Sequence, residues 1–194
     1  MTYLTMNTRK INSFDKKYRI LDQFMTYILS PIKYINSNDK SRSGSYVRTR
    51  TYYIYLIDED VAKYYHGRER MFHDLFHQYV HVSGKMRKII SRQIHYITNP
   101  IPMLTLYQII KNAFSNQWDY VNQTGSYQLS IKNDRDFIEV TIEKQYVRLD
   151  VYGSLDAESI FFEGIRAFNG YLFAIDFDNH KFGWIRPIKE RKYV

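Results

Sequence analysis

The sequence predicts an α+β fold, a single domain of largely antiparallel sheet with packed helices, preceded by a basic N-terminal leader of low order. Three observations predict it. Tyr52 to Ile57 form an unbroken aromatic and β-branched run, the composition of a strand covered on both faces. Between residues 58 and 114, apolar residues recur every three or four positions, the period of amphipathic helices. From Tyr127 the period becomes two, with one further helical stretch before the end.

Taken in order, the first strand runs into a helix. Asp58 supplies an N-cap carboxylate, and Glu59 and Asp60 place negative charge on the first turn, where the helix dipole favours it. Gly67 interrupts that helix, and a second begins near Arg68 with Met71, Phe72, Leu75, Phe76 and Tyr79 on one face. Ser83 and Gly84 end it. A third helix is expected to turn Met86, Ile89, Ile90, Ile94 and Ile97 inward and Arg87, Lys88 and Arg92 outward, with Gln93 and Tyr96 on its flank. The Asn99–Pro102 segment, with prolines at 100 and 102, stops it, and residues 103–114 read as a fourth helix buried through Leu106, Tyr107, Ile110 and Phe114.

Strands follow. Tyr127 to Ile131 is one, and Phe137 to Glu143 alternates with Ile138, Val140 and Ile142 on a single face. Val147, Leu149 and Val151 repeat the pattern, and the short Lys144–Gln145 connection predicts an antiparallel hairpin. Gly153 ends it, and Ser154 or Asp156 caps a helix buried through Ala157, Ile160, Phe161, Ile165 and Phe168. Asn169 and Gly170 stop that helix. Tyr171 to Phe177 is apolar on both faces, a central strand; Asp178 and Asn179 turn it into Lys181 to Ile185, and Pro187 closes the last strand.

Composition narrows the function classes. The chain has no cysteine, which removes disulfides, thiolate metal sites and a cysteine nucleophile. No apolar run nears the roughly 20 residues that span a bilayer. Phe24 to Ile35 is interrupted by Ser30, Pro31 and Lys33 and lacks a signal-peptide cleavage pattern, so a soluble, cytoplasmic protein is expected. The net charge of +8 is unevenly placed. Residues 1–50 carry ten Lys/Arg against three Asp/Glu, a net of +7, whereas residues 51–194 carry eighteen against seventeen, a net of +1. Residues 1–46 form the leader and 47–194 the globular domain. The leader holds one weak helical pattern (Phe14, Tyr18, Leu21, Met25) and a polar linker from Ser37 to Ser45. Val47, a residue that an alternative start codon can encode, marks a candidate translation start.

Candidate chemistry is sparse. His73, His77 and His81 recur every four residues, a spacing able to bind zinc, but a solvated helix face is the simpler reading. Asp176 and Asp178 share one side of a strand, with Asp150 a candidate neighbour; such carboxylates serve acid–base work or turn formation. There is no Walker loop, nucleophile elbow or dinucleotide fingerprint among eight glycines. Of the nineteen tyrosines, Tyr64, Tyr65 and Tyr96 sit where inward positions are already filled, and are expected to be exposed beside Gln93 as a protein-binding patch. A nucleic-acid-binding reading would use the leader and the basic tail after Pro187, and a metal-dependent enzyme would use the three histidines.

Three separated blocks carry a resemblance: YYIYLIDEDVAKYYHGRERMFHDLF from Tyr52, QIHYITNPIP from Gln93, and Leu155 to the C-terminus, including FNGYLFAIDFDNHKFGWIRPIKER. In these the chain resembles the SirA family, sporulation inhibitors of replication from endospore-forming Bacillaceae. The likeness runs from about residue 50 onward and is weakest between Phe114 and Ile131. It implies a non-enzymatic regulator, without cofactor or metal, that binds domain I of the initiator DnaA. Its contact residues would be Val61, Tyr65, Gln93 and Tyr96, with Pro187 in a further family motif. Val61 departs from the family pattern, where an aromatic is expected.

Overall fold

A strand of the composition of Thr49–Ile57 (β1) needs cover on both faces, and it receives it as an interior strand of the sheet with helices packed against each side. The computed structural model describes residues 49–115, 118–121, 126–131 and 136–188, all in the second of the chain's two units, which begins at Ser45. The leader's helical pattern, the linker, Val47 and the basic tail lie outside the described residues.

After β1 come three helices, Glu59–Tyr64 (α1), Glu69–His81 (α2) and Gly84–Ile97 (α3), then a two-residue strand Thr98–Asn99 (β2) and helix Met103–Ala113 (α4). Strands Trp118–Val121 (β3), Ser126–Ile131 (β4), Asp136–Ile142 (β5) and Val147–Tyr152 (β6) follow. Helix Leu155–Ile165 (α5) then leads into Tyr171–Asp176 (β7) and Lys181–Trp184 (β8). The described strands form one antiparallel sheet in the order β3-β4-β5-β6-β1-β7-β8, with β2 also paired to β1. The predicted α+β class holds.

Alternation along β1 divides the core. Tyr52 and Ile54 face α4 and α5: the Tyr52 ring meets Phe162 edge-on at 5.2 Å, and Phe114 stacks on Phe161 at 6.0 Å. Gly164 permits the close approach of α5 to α4, since a Cβ there would stand 2.4 Å from the Phe114 ring. Tyr53 and Tyr55 face the other side, where Tyr55 stacks on Phe76 of α2 at 4.0 Å. The β5–β6 hairpin is closed through Glu143 N–H to Tyr146 O at 2.9 Å, around the expected Lys144–Gln145 turn.

Several expectations are corrected. The strand read as central, β7, lies between β1 and β8, second from the edge, and β5, β6 and β1 lie further in. β2 and β3 are additional strands; two-residue β2 is too short to show a period, and it pairs Thr98 with Ile57 where β6 has run out. Met86 and Ile89 of α3 point outward, at 42% and 44% exposure, while Ile90 and Ile97 are buried. Tyr107 is only half-buried. Ser154 does occupy the N-cap of α5, but its hydroxyl donates to Asp136 Oδ2 at 2.6 Å instead of capping the helix.

Candidate functional site

The two helices that carry or adjoin Val61, Tyr65, Gln93 and Tyr96 join where the C-terminus of α3 abuts the N-terminus of α1. Pairing of Ile57 with Thr98 brings the two ends together, and Asp58 N–H donates to Ile97 O at 2.9 Å. The Asp58 carboxylate caps α1 by accepting from Val61 N–H at 3.3 Å, as its sequence position predicts. Glu59 pairs with Lys63 one turn on. At six residues α1 is too short to be stable by itself, so tertiary contacts must hold it.

Val61, Ala62 and Tyr65 provide those contacts. Val61 is fully buried, and Tyr65, at 2% exposure, meets Phe72 edge-on at 6.0 Å. This corrects the expectation that α1 presents Val61 and Tyr65 outward: they are the residues that dock the helix. The side chains α1 shows to solvent are Glu59, Asp60, Lys63 and Tyr64. Valine at position 61 is enclosed on every side, so its small volume is a packing feature here.

Gln93 and Tyr96 are placed as the sequence predicts, on an outer flank of α3. Tyr96 is 50% exposed and Gln93 half-buried. The amide oxygen of Gln93 is covered and, among the described residues, meets no hydrogen-bond donor. Such an acceptor is costly to leave unmade.

Pro187 is exposed just beyond β8. Its strand is tied to α1 through aromatic packing: Phe72, which contacts Tyr65, also meets Trp184 at 5.6 Å. The Trp184 indole N–H donates to Glu69 Oε1 at 3.0 Å, and Gly67 N–H donates to the same oxygen at 2.9 Å. Burial alone would raise the Glu69 carboxyl, but these donors and its own backbone N–H outweigh it and hold the group below the ordinary carboxylate range.

The histidine face of α2 is not simply solvated. His73 is buried and His77 half-buried, and only His81 is exposed. His180, from the turn after β7, joins them with its ring 5.7 Å from His73 and 5.9 Å from His77. No sequence spacing could have announced this fourth imidazole. His73 Nδ1 pairs with Asp74 at 3.0 Å, and its ring lies 4.9 Å from that of Phe182. Among the described residues no three His, Asp or Glu side chains are arranged to hold a metal ion.

The cluster has a consequence for pH dependence. Burial, then the charges of His81, His73 and His180, depress the His77 imidazole below its usual value, against an opposing pull from Asp74. The unfolded chain therefore binds the proton more tightly than the folded one. The associated stability is complete above the ordinary histidine value of about 6.5 and declines as pH falls through the depressed folded value. Thermal melts of wild type are expected to drop between pH 7 and pH 5 by more than those of His77→Gln. Parallel profiles for the two proteins would refute the assignment.

Asp176 behaves as a turn former, and Asp150 as a partner for side chains within the sheet. Asp176 is fully buried, and its carboxylate accepts from Asn179 N at 3.0 Å and Nδ2 at 2.7 Å. Asp178 is exposed. Asp150 accepts from Thr51 Oγ1 at 2.7 Å and pairs with Arg148 at 2.9 Å. Strand register puts Asp150 on the face of Tyr53 and Asp176 on that of Tyr52, so the expected neighbourhood of the two does not exist. Among the described residues no helix is long and apolar enough to cross a membrane.

A family described as sporulation inhibitor of replication protein SirA matches residues 50–189. The chain is also 33% identical over 147 residues to the sporulation inhibitor of replication protein SirA of Bacillus subtilis (strain 168), covering 75% of this chain and 99% of that relative.

Proposed function

This chain belongs to the SirA family of sporulation inhibitors of replication, and from that premise we propose that it restrains replication initiation at the onset of sporulation by docking on domain I of DnaA. The observation that carries the reading is the outward placement of Tyr96 beside Gln93, at the junction of α3 and α1. A tyrosine brings large apolar area, little rotamer entropy and a polar tip, the chemistry of interface hot spots. The buried Gln93 oxygen is an acceptor that a partner's N–H would satisfy if the amide turned outward on binding.

Val61 and Tyr65 enter the same proposal by a different route. They set the position of α1, whose N-terminus borders the Tyr96 end of α3 and whose outer face includes Tyr64 at 43% exposure. Pro187 acts through the β8 end that packs on Phe72. Occupation of domain I is a matter of shape and surface chemistry, so the regulator needs no catalytic group or cofactor, and the contact is made with protein while DNA is left to the initiator.

Calorimetric titration of the chain with purified DnaA domain I tests this. Tyr96→Ala is expected to weaken binding by about 2 kcal/mol while leaving the melting temperature unchanged, because a half-exposed hot-spot side chain contributes little to the core. Absence of binding by wild type, or wild-type affinity in Tyr96→Ala, would refute the proposal.

A further inference from the structure

The outward turn of Met86 and Ile89 leaves α3 with two parallel rows that its inner packing does not use. One row is Met86, Ile89, Gln93 and Tyr96, successive positions three and four apart on a single face. Three of the four are large and substantially exposed, at 42%, 44% and 50%. The adjacent row, at the same spacing, is Lys85, Lys88, Arg92 and His95, all exposed. Among the described residues, no carboxylate pairs with Lys85, Lys88 or Arg92. Arg87, by contrast, lies over the Tyr79 ring at 4.9 Å and belongs to the α2–α3 packing. α3 carries no acidic residue.

We propose that the binding surface extends along the whole length of α3 and fits a protein face on which carboxylates flank an apolar ridge. The inference rests on the functional reading above and names the chemistry of the partner it requires. The apolar row offers a helix-length strip for a ridge to lie against, and the cationic row beside it favours an acidic neighbour. A phosphate backbone is a poorer fit. The strip is apolar through Met86 and Ile89, and its Tyr96 end abuts the first turn of α1, where Glu59 and Asp60 repel phosphate. A protein face can match both the cationic row and the acidic end, and a uniformly anionic strand cannot.

The test uses the full chain, purified DnaA domain I and a duplex DNA of unrelated sequence, with Lys85→Glu/Lys88→Glu/Arg92→Glu and Ile89→Ser as variants. Every substitution is on an exposed helix face, and circular dichroism melts confirm folding. The triple reversal is expected to weaken domain I binding about tenfold or more at low salt, with the loss shrinking at high salt as the charges are screened. Ile89→Ser is expected to weaken it about fivefold with no change in salt dependence. If Tyr96→Ala weakens binding while both α3 variants bind like wild type, the extension along α3 is overturned and the functional reading stands. If wild type does not bind domain I at all, both are overturned. Duplex DNA taken up by wild type and lost on the triple reversal would assign the row to nucleic acid and overturn the protein partner.

Discussion

Tyr65→Ala is expected to lower the stability of the domain by about 3–5 kcal/mol, the range for truncating an enclosed aromatic to alanine. The side chain is 2% exposed, meets Tyr64 edge-on at 4.9 Å and Phe72 at 6.0 Å, and stands at the C-cap of a helix of only six residues. Its removal leaves a cavity under α1 that the rest of the helix cannot fill, since Val61 and Ala62 are already committed to the interior. Denaturant melts followed by tryptophan fluorescence would measure the loss. The contrast with Tyr96→Ala is the informative part. Both substitutions would weaken partner binding, but only Tyr65→Ala should do so by displacing or unfolding the helix that borders the surface. Tyr65→Phe keeps the ring and should recover most of the stability. A Tyr65→Ala protein that melts like wild type would mean that the ring is not enclosed in solution, and would return it to the list of direct contacts.

Arg50→Ala is expected to be comparably severe, about 3–5 kcal/mol, because it strands a buried charge. The guanidinium sits at 8% side-chain exposure, donating from Nε to Glu158 Oε2 at 2.6 Å and from its two other nitrogens to the carbonyls of Gly153 at 3.1 Å and Ser154 at 2.6 Å. One side chain thereby joins the start of β1 to the β6–α5 turn. Glu158, at 12% exposure, would be left without its ion pair. Tyr52 reports on the same spot: burial and then the Glu158 carboxylate push its hydroxyl well above the ordinary tyrosine range. Arg50→Ala/Glu158→Ala removes both charges and should cost less than the sum of the single substitutions. Additive losses in that cycle would show that the pair is not coupled.

How much was legible before the structure depended on whether the signal was local. The strand–helix unit at Tyr52–Tyr65, its Asp58 cap, the Gly67 break, the β5–β6 hairpin and the outward flank of Gln93 and Tyr96 are all set by neighbours a few residues apart. Periodicity reports such features well. It does not report which of two apolar stripes on a helix finds a neighbour. α3 has enough isoleucine for either choice, and packing against α2 and β2 took Ile90 and Ile97 and left Met86 and Ile89 outside. Tyr65 failed for the reciprocal reason. The inner positions of a short helix look filled in sequence, but a six-residue helix docks only if both Val61 and the C-cap Tyr65 go inward.

The sequence by itself determined the α+β class, the antiparallel strands, the family and the outward placement of Tyr96, because each rests on composition, period or a contiguous motif. Tertiary structure alone decided that β1 pairs with β6 on one side and β7 on the other, that His180 completes a histidine cluster, that Asp150 and Asp176 lie on opposite faces, and that α1 is held by Val61 and Tyr65. Each of these depends on residues far apart in the chain. Their meeting is set by strand register and by competition among apolar faces for a limited interior, which no local pattern encodes.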